Sequence, residues 1–399
     1  MNILVSNVGS TSLKFKLFTM PKEKLLCEAK IERIGSSDDA IFSYRNVCTD
    51  AQFKKTKCCV PTYSDGIRNF LEYMLSKEYG AIKSLSELGA VGFKTVLAKG
   101  YYGVHELTDE VLQGMKDYLF VAPAHNGPYL ESISHFQRIL PDIKLVGVFE
   151  TAFHVTIPEA RRMYAFPYEW YESYGIKRMG YHGASHSYIA HTLERDCGSS
   201  GLTISCHLGG SSSICAIQNG RSIDNSFGFS LQTGVLHANR IGDMDPYVIP
   251  FLIDKGMNME DILICLSKKS GLLGISGVSN DLRQIQEAAE AGCQRSRLAI
   301  DMFLESVIHY IGAYYAKLGG LDNLVFTGGI GENSALVRSK ICSAVSHMGI
   351  WLDEEKNREF CGDKRVVSVD SSPVSILVIP ANEEVGIARD TYSFVTKHQ

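Results

Sequence analysis

One pattern of residues occurs twice in this chain of 399 residues, about half a chain apart. The segment 3–13 (ILVSNVGSTSL) has an outline that returns at 203–213 (TISCHLGGSSS). Each segment begins as an apolar strand, continues with a polar residue and a glycine, and then has small hydroxyl residues before a return strand. This repetition indicates two duplicated domains that face each other across a cleft. We predict them at residues 1–150 with 384–399 and at residues 151–383.

Short β-branched segments alternate with longer amphipathic segments, which is typical of an α/β fold. A strand begins at Ile3, and apolar and lysine side chains alternate over 13–18 as in a hairpin with one covered face. Four further strands are predicted at 144–149, 202–206, 324–326 and 374–379. A long helix is predicted from about Arg295 to Leu318, because apolar residues recur there at helical spacing before Gly319.

The composition is typical of a soluble globular protein. Apolar residues make up 45% of the chain and charged residues 21%, with a formal net charge of -4, which argues against a nucleic-acid partner held by a basic surface. No run of about 18 apolar residues and no basic amino-terminal flank is present, so we expect neither a membrane span nor a signal peptide. The 11 cysteines include no Cys-x-x-Cys pair, which indicates reduced thiols, no structural zinc site and a cytoplasmic location.

Three glycine- and hydroxyl-rich turns each follow a predicted strand, at 9–12, 209–213 and 328–333. Glycine lets the backbone approach an anion closely, and successive N–H groups and hydroxyls replace the water around phosphate oxygens. None of the three turns has the Gly-Lys-Ser/Thr of a P-loop or the spacing of a Rossmann fingerprint. The chain is therefore predicted to bind a nucleotide, but not in a P-loop.

Seven short motifs resemble those of the acetate kinase family, in the same order along nearly the whole chain. They are Asn7–Lys14, Arg178–His186, His207–Gly209, Arg240–Pro246, Asp281–Arg283, Thr327–Asn333 and Pro380–Glu384. The resemblance implies two related actin-like (ribonuclease H-like) α/β domains with a nucleotide cleft between them, the second being the nucleotide-binding domain. It implies reversible transfer of the γ-phosphoryl group of ATP to a short carboxylate, giving an acyl phosphate and ADP, with Mg²⁺ as cofactor. It also implies a homodimer.

The resemblance assigns roles to individual residues. Asn7 and Glu383 would hold Mg²⁺, which prefers hard oxygen ligands. The catalytic residues would be Glu150, His182, Arg240 and His125. The residues in contact with the carboxylate substrate would be Lys94, Val96, Ala124, Tyr181 and Leu231. The residues in contact with ATP or ADP would be Ser10, Ser12, Lys14, His207, Leu208, Gly209, Gly210, Ser211, Asp281, Leu282, Arg283, Gly329, Ile330, Gly331, Glu332 and Asn333.

Three departures from the family pattern concern charged or hydrogen-bonding groups. Lys94 stands where the family has an arginine, which keeps the charge but loses the planar fork that grips two oxygens. Glu150 replaces an aspartate, and its longer side chain can compensate for the shorter base. Gly210 replaces an asparagine, which removes a side-chain donor from the phosphate turn.

A fourth departure alters the predicted acyl pocket, where Ala124, Tyr181 and Leu231 replace leucine, phenylalanine and proline. Alanine opens space, and the tyrosine hydroxyl requires a polar partner. Several functions stay open on these residues. The chain is an acetate kinase, a kinase for a bulkier or more polar acid, a kinase with a phosphoryl donor other than ATP, or a nucleotide-binding regulatory protein without turnover.

Other residues in the same motifs have a plainer interpretation. A histidine in an arbitrary chain is more often a surface residue or a hydrogen-bonded core residue than a catalytic one, so we assign no role to His154, His186 and His237. In the plainer interpretation, Lys14 lies on the solvent-facing side of its strand and Arg240 forms a surface ion pair. Only the matching motifs favour a functional role for these two side chains.

Overall fold

The structure is a computed structural model of the chain. The residues that it describes are 1–9, 12–121, 123–359 and 364–397, with the side chains of residues 37 and 123–125 excepted. Three predicted site residues therefore lie outside the description, Ser10 entirely and Ala124 and His125 in their side chains.

Contacts divide the chain into two compact units. The first unit is Met1–Ala152 with Asn382–Gln399, and the second is Phe153–Ala381. The chain passes from one unit to the other at two places, and each place lies two residues from a predicted domain boundary. The assignment of the two units as domains stays a prediction. Among the described residues, none of the helices has both the length and the apolar composition needed to cross a bilayer.

The first unit is built on one mixed sheet. Its strands are β1 (Asn2–Val8), β2 (Ser12–Thr19), β3 (Lys24–Glu32), β4 (Ser36–Asn46), β5 (Gln52–Val60), β6 (Leu88–Thr95), β7 (Val104–Glu106) and β8 (Lys144–Phe149). Its helices are α1 (Tyr63–Leu75), α2 (Asp109–Asp117), α3 (Pro123–Ile139), a 3₁₀ turn at Leu85–Glu87 and, after the second unit, α15 (Glu383–Lys397). The strand order is β5-β4-β3-β2-β1-β6-β8-β7, with β1, β6 and β8 parallel to one another.

The predicted hairpin in the first unit is confirmed. β1 and β2 pair antiparallel, with Asn7 opposite Lys14. The alternating apolar side chains Leu13, Phe15 and Leu17 are fully buried, while Lys14 is exposed. The strand predicted at 144–149 has the bounds of β8. Helix α15 packs on β6 and β1, two central strands of this sheet.

The second unit is built on a smaller sheet. Its strands are β9 (Leu202–His207), β10 (Ser213–Gln218), β11 (Arg221–Asn225), β12 (Asn323–Thr327), β13 (Arg365–Val366) and β14 (Ser375–Val378), in the order β11-β10-β9-β12-β14-β13. Its helices are α4 (Glu159–Arg162), α5 (Tyr168–Tyr174), α6 (Gly183–Cys197), α7 (Val248–Asp254), α8 (Met259–Lys268), α9 (Gly271–Ser276), α10 (Leu282–Glu290), α11 (Gln294–Leu318), α12 (Gly328–Asn333), α13 (Ala335–Ala344) and α14 (Glu354–Arg358). Short 3₁₀ turns lie at Ala152–Thr156 and Ser346–Met348.

The two sheets share one topology. In the first unit the order β3-β2-β1-β6-β8 has antiparallel pairs up to β1 and parallel pairs after it. In the second unit the order β11-β10-β9-β12-β14 has the same pattern around β9. The repeated segments at 3–13 and 203–213 coincide with β1-β2 and β9-β10. The predicted duplication of an α/β topology is thus confirmed.

The glycines at two helix ends show where local prediction succeeds and where it fails. Helix α11 ends at Leu318 as predicted, and Gly319 follows in the left-handed region with φ 75°. The turn predicted at 328–333 is wrong, because the structure has the short helix α12 there. Gly328 has φ +77°, and a Cβ on it would lie 2.7 Å from the Leu208 carbonyl oxygen, so this entry into α12 requires glycine.

Candidate active site

Three charged side chains meet in the first unit. Lys94 lies near the carboxyl end of β6, Glu150 directly follows β8, and Glu383 is the first residue of α15. Because β6 and β8 are parallel neighbours, their carboxyl ends lie at the same edge of the sheet. The Lys94 Nζ atom lies 2.8 Å from Glu150 Oε1 and 2.5 Å from Glu383 Oε2. We call these three residues the lysine cluster.

The lysine cluster is nearly closed to solvent. The exposed side-chain fraction is 17% for Lys94, 7% for Glu150 and 12% for Glu383. Burial by itself would lower the pKa of Lys94, but the two carboxylates raise it well above its usual value. Lys94 is therefore a cation at neutral pH, fixed between two anions. The longer acid at position 150 reaches the shorter base at position 94.

A tyrosine that the sequence analysis did not consider connects Asn7 to this region. Tyr129 on α3 is only 2% exposed; its hydroxyl accepts a hydrogen bond from Val8 N at 3.1 Å and donates to Asn7 Oδ1 at 3.4 Å. Burial raises its pKa, while the positive charge of Lys94 acts to lower it, so the phenol is neutral. Helical spacing was the available signal, since Tyr129 follows His125 by four residues.

The predicted metal residues have suitable chemistry. Asn7 offers an amide oxygen and Glu383 a carboxylate, and both belong to the first unit. Among the described residues there is no group of three or more histidine, cysteine or acidic side chains that could hold a metal ion. Mg²⁺ usually takes one or two carboxylates and keeps several waters, so a sparse set of hard oxygens fits this ion.

Gly9 and Ser12, the described ends of the first predicted phosphate turn, are in contact. Gly9 N donates to the Ser12 carbonyl oxygen at 2.8 Å, and a Cβ on Gly9 would lie 2.6 Å from Ser12 Oγ. Only glycine therefore fits this turn without a shift of the serine. Lys14 is exposed on the next strand, opposite Asn7, so its side chain is accessible to a ligand or to solvent.

His182 is held at a strained position in the second unit. It precedes α6 with φ 56° and ψ 30°, a left-handed conformation that costs a non-glycine residue roughly 1–2 kcal/mol. Its Nδ1 lies 2.9 Å from Ser213 Oγ, and its ring centroid lies 4.2 Å from that of His207. His207 ends β9, and its Nδ1 is hydrogen-bonded to Ser185 Oγ at 2.8 Å. The structure thus brings two of the predicted histidines together.

Arg240 is half-buried, and its contact is not a surface ion pair. Its Nη1 donates to the Leu231 carbonyl oxygen at 2.7 Å. Burial lowers its pKa to about 10, so the guanidinium is still protonated at neutral pH. The same motif is anchored by Asp243, which accepts hydrogen bonds from Gly234 N and from the hydroxyl of Tyr310 on α11. The loop that carries Arg240 is therefore tied to a core helix.

The residues predicted to line the acyl pocket are all buried where the structure describes them. Val96 belongs to the first unit, and Tyr181 and Leu231 belong to the second. The Tyr181 hydroxyl donates to the Phe229 carbonyl oxygen at 2.7 Å. A backbone carbonyl is thus the polar partner of this hydroxyl. The presence of Tyr181 is therefore no evidence that the substrate is polar.

The second phosphate turn and helix α12 lie against each other. The Leu208 carbonyl oxygen accepts hydrogen bonds from Ile330 N at 2.8 Å and Gly331 N at 3.2 Å. Two of the three predicted phosphate segments therefore form one surface within the second unit. Gly210 has no steric need to be glycine, because a Cβ there would meet only Ala238 Cβ at 3.9 Å.

The side chains of two α12 residues form hydrogen bonds with neighbouring backbone groups. Glu332 Oε1 accepts hydrogen bonds from Gly328 N and Ala381 N, both at 2.9 Å, and Asn333 Nδ2 donates to the Gly329 carbonyl oxygen at 2.8 Å. Both side chains are thus hydrogen-bonded to the protein backbone. Glu332 is partly buried, whereas Asn333 is exposed to solvent.

The predicted nucleotide motif Asp281–Arg283 lies at the start of helix α10, where Asp281 is the N-cap residue. Asp281 Oδ1 accepts a hydrogen bond from Arg283 N at 2.9 Å at the start of α10, and the Arg283 guanidinium pairs with the same carboxylate. Leu282 between them is buried in the core of the second unit. The exposed guanidinium is the member of this motif with most surface to offer a ligand.

The three histidines without an assigned role are buried and hydrogen-bonded through both ring nitrogens. Burial lowers the pKa of His154 to about 4 and that of His237 to about 3, and it places the pKa of His186 well below the usual value. All three are neutral in the folded protein. The interpretation as hydrogen-bonded core residues describes their surroundings correctly.

Comparisons with known proteins agree with the motifs. Residues 2–389 match the model of the Acetokinase family. An acetate kinase from Bacillus cytotoxicus is 41% identical over 394 residues, 97% of each chain, and one from Shouchella clausii is 41% identical over 98% of each chain. The crystal structure of Porphyromonas gingivalis acetate kinase has a TM-score of 0.88 at 36% identity and 99% coverage of both chains. That of a propionate kinase from Francisella tularensis has a TM-score of 0.87 at 31% identity and 98% coverage of both.

Proposed function

Because the chain belongs to the acetokinase family, we propose that it transfers the γ-phosphoryl group of ATP to the carboxylate of a short-chain acid, reversibly. A carboxylate oxygen forms the new bond to phosphorus while the bond from phosphorus to the bridging oxygen of ADP breaks. The products are an acyl phosphate and ADP. The observation that carries this proposal is the match over nearly the whole chain to relatives named acetate kinase.

The acceptor we propose is acetate or propionate. Solved relatives with the same fold are named acetate kinase and propionate kinase, which favours a small alkyl acid. The hydrogen bond from the Tyr181 hydroxyl to the Phe229 carbonyl supports the same choice, since the tyrosine does not present an unpaired polar group. The more polar acceptor that the sequence left open has no comparable support.

In the first unit, we assign the carboxylate and metal chemistry to the lysine cluster and Asn7. Lys94 provides a fixed positive charge for the anionic substrate, and Glu150 and Glu383 hold its ammonium in place. Asn7 and Glu383 would hold Mg²⁺, which when bound neutralises charge on the phosphates of the nucleotide. The other residues of this unit proposed to contact substrates are Ser10, Ser12, Lys14, Val96, Ala124 and His125.

In the second unit, we assign the transferred phosphoryl group to His182 and Arg240. Phosphoryl transfer needs donors and cations aligned with the equatorial oxygens, and both side chains are held in place by hydrogen bonds within the protein. The segments 207–211, 281–283 and 329–333 would bind ATP or ADP. The exposed glycines Gly210 and Gly329 and the exposed Arg283 guanidinium support this assignment.

A hydroxamate assay with ATP and Mg²⁺ over acetate, propionate, butyrate, glycolate and glycine tests the function. We expect acetate or propionate to have the highest kcat/KM, and we expect the reverse reaction to make ATP from ADP and acetyl phosphate. Highest turnover with glycolate or glycine would contradict the proposed acceptor. Nucleotide binding without turnover of any acid would contradict the proposed kinase activity.

We also propose a homodimer in the cytoplasm. The cysteines that the structure describes are free, and Cys48, Cys59 and Cys197 are exposed among them, which supports a reducing compartment. Light scattering of the purified protein should give twice the mass of the chain. A monomer at micromolar concentration, or recovery of the protein in an extracytoplasmic fraction, would contradict these two proposals.

A further inference from the structure

A buried chain of hydrogen bonds ends on His182 in the second unit. Ser205 Oγ lies 2.9 Å from His186 Nδ1, and His186 Nε2 lies 2.8 Å from Ser213 Oγ. Ser213 Oγ lies in turn 2.9 Å from His182 Nδ1. Strands β9 and β10 and helix α6 supply these residues, so the arrangement is part of the folded core. We call Ser205, His186 and Ser213 the serine–histidine relay.

Every member of the relay is closed to solvent. Ser205, His186 and Ser213 have no exposed surface. Burial lowers the pKa of His186 well below its usual value, and the neighbouring His154 and His207 lower it further. His186 is therefore neutral and carries one ring hydrogen. That hydrogen lies either on Nε2, towards Ser213, or on Nδ1, towards Ser205.

These two choices give the relay two possible directions. If His186 carries its hydrogen on Nε2, it donates to Ser213, and the Ser213 hydroxyl is free to donate to His182 Nδ1. If His186 carries its hydrogen on Nδ1, the Ser213 hydroxyl donates back to His186, and His182 must itself donate from Nδ1. The tautomer of His182 thus follows from that of His186.

The hydroxyl of Ser205 selects between the two directions. Within the part of the chain that the structure describes, its only hydrogen-bond partner is His186 Nδ1. If His186 donated to Ser205, the Ser205 hydrogen would be buried without an acceptor, which is unfavourable because the hydroxyl gives up its hydrogen bond to water. In the opposite direction Ser205 donates to His186 and every hydrogen of the relay has an acceptor. The arrangement with the His186 hydrogen on Nε2 is therefore the stable one.

We propose that the serine–histidine relay holds His182 as the neutral tautomer with its ring hydrogen on Nε2. His182 then acts on the transferred phosphoryl group as a neutral hydrogen-bond donor rather than as a cation, a step that rests on the proposed function. Ser205, His186 and Ser213 are positioning residues, since they act through His182. The imidazole of His207 packs beside this ring, with the two ring centroids 4.2 Å apart.

Long-range ¹H–¹⁵N correlation spectra of protein labelled with ¹⁵N in its histidines report the tautomer of each ring directly. The spectrum of a His182→Gln variant identifies the His182 signals by their loss. We expect wild-type His182 at neutral pH to have a protonated Nε2 and an unprotonated Nδ1. A wild-type spectrum in which the His182 ring carries its hydrogen on Nδ1, or is doubly protonated, would by itself overturn the proposal.

Substitutions at the far end of the relay test its direction. Ser205→Ala removes the hydroxyl that selects the tautomer, so a population with hydrogen on Nδ1 should appear at His182. Ser205→Thr keeps the hydroxyl and should restore the wild-type spectrum. Ser222→Ala is the matched control, because Ser222 is a buried serine bonded to another histidine, His154 at 2.9 Å. It should leave the His182 tautomer unchanged; an unchanged tautomer in Ser205→Ala would refute the relay.

Kinetics separate the relay from the proposed function. In the active enzyme, Ser205→Ala should lower kcat by about 10- to 100-fold, the range for partners that orient a functional histidine, with little change in KM for ATP. If the tautomer responds to Ser205 in a protein without carboxylate kinase activity, the relay stands and the proposed function fails. If the wild type is active but the His182 tautomer is the same in Ser205→Ala, the relay is refuted and the proposed function stands.

Discussion

The ammonium of Lys94 lies 2.8 Å from a carboxylate oxygen of Glu150, across two neighbouring parallel strands. The family pattern places an arginine and an aspartate at these positions, so the chain has a shorter base opposite a longer acid. Glu383 holds the same ammonium at 2.5 Å from the other side. Because the cluster is nearly closed to solvent, the lengths of the two side chains have to match.

The matched lengths predict that single changes at this pair are harmful and that the double change is not. Lys94→Arg overfills the space and Glu150→Asp leaves a gap, so each should lower kcat/KM for acetate by about 10²-fold, the effect of a misplacement of about 1 Å. The variant with both changes should recover most of this loss. Steady-state hydroxamate kinetics in a double-mutant cycle measure the coupling, and additive losses would contradict it.

An exposed ion pair in the same unit provides the control for this cycle. The Lys30 Nζ and Glu32 Oε1 atoms are 2.6 Å apart on β3, and the two side chains are 47% and 41% exposed. The changes Lys30→Arg and Glu32→Asp should leave kcat/KM unchanged, singly or together, because exposed ion pairs contribute only about 0–1 kcal/mol.

Removal of the negative charge at Glu383 should weaken the effect of Mg²⁺ on nucleotide binding. In the wild type, calorimetry should show tighter ADP binding with Mg²⁺ than without it. In Glu383→Gln the Mg²⁺-dependent gain should fall by about tenfold in Kd, or ~1.4 kcal/mol. Glu384→Gln removes the adjacent carboxylate, which pairs with Lys16 instead, and should keep the full gain. Equal gains in all three proteins would exclude Glu383 as a metal residue.

Arg240 and His182 should matter for turnover much more than for nucleotide affinity. Loss of one fixed donor to a transition-state oxygen typically lowers the rate by about 10²–10³, so Arg240→Ala and His182→Ala should lower kcat to this extent. ADP affinity should change little in either variant. Arg295→Ala is the control, since that exposed guanidinium also donates to backbone carbonyls but belongs to none of the seven motifs. Near-normal turnover in Arg240→Ala would contradict its assigned role.

The buried histidines predict that acid destabilises the protein. Burial lowers the pKa of His154 to about 4 and that of His237 to about 3, from 6.5. Below pH 6.5 the unfolded state therefore binds more protons, and the stability present above pH 6.5 is lost as the pH falls towards the folded values. Between pH 7 and pH 5 each histidine should lower the free energy of unfolding by about 2 kcal/mol.

Urea denaturation at pH 7 and pH 5 measures this loss. A His154→Asn variant should be less stable at pH 7 but should lose less stability on acidification than the wild type. His309→Gln, which changes an exposed histidine on α11, should retain the wild-type pH dependence. The same loss in all three proteins would show that other groups cause it.

Much of the fold follows from local sequence patterns. Apolar and lysine residues alternate over 13–18, and that alternation alone predicts the hairpin of β1 and β2 with its buried face. Helical spacing before Gly319 predicts the end of α11, and the repeated segments predict the shared topology of the two sheets. The hairpin and the helix end depend on the spacing of residues that are close in the chain, and the shared topology depends on a repeat that the sequence itself displays.

Only the tertiary structure decided which distant groups meet. The hydrogen bond from Lys94 to Glu383 joins residues 289 positions apart, and no local period relates them. The same holds for Ser205, His186 and Ser213, whose order in the relay depends on the packing of α6 against β9. The helix α12 is a further example, since the carbonyl of Leu208 accepts its backbone N–H groups and so favours helix over turn. Side-chain distances of this kind are set by how strands and helices pack, which local periodicity does not encode.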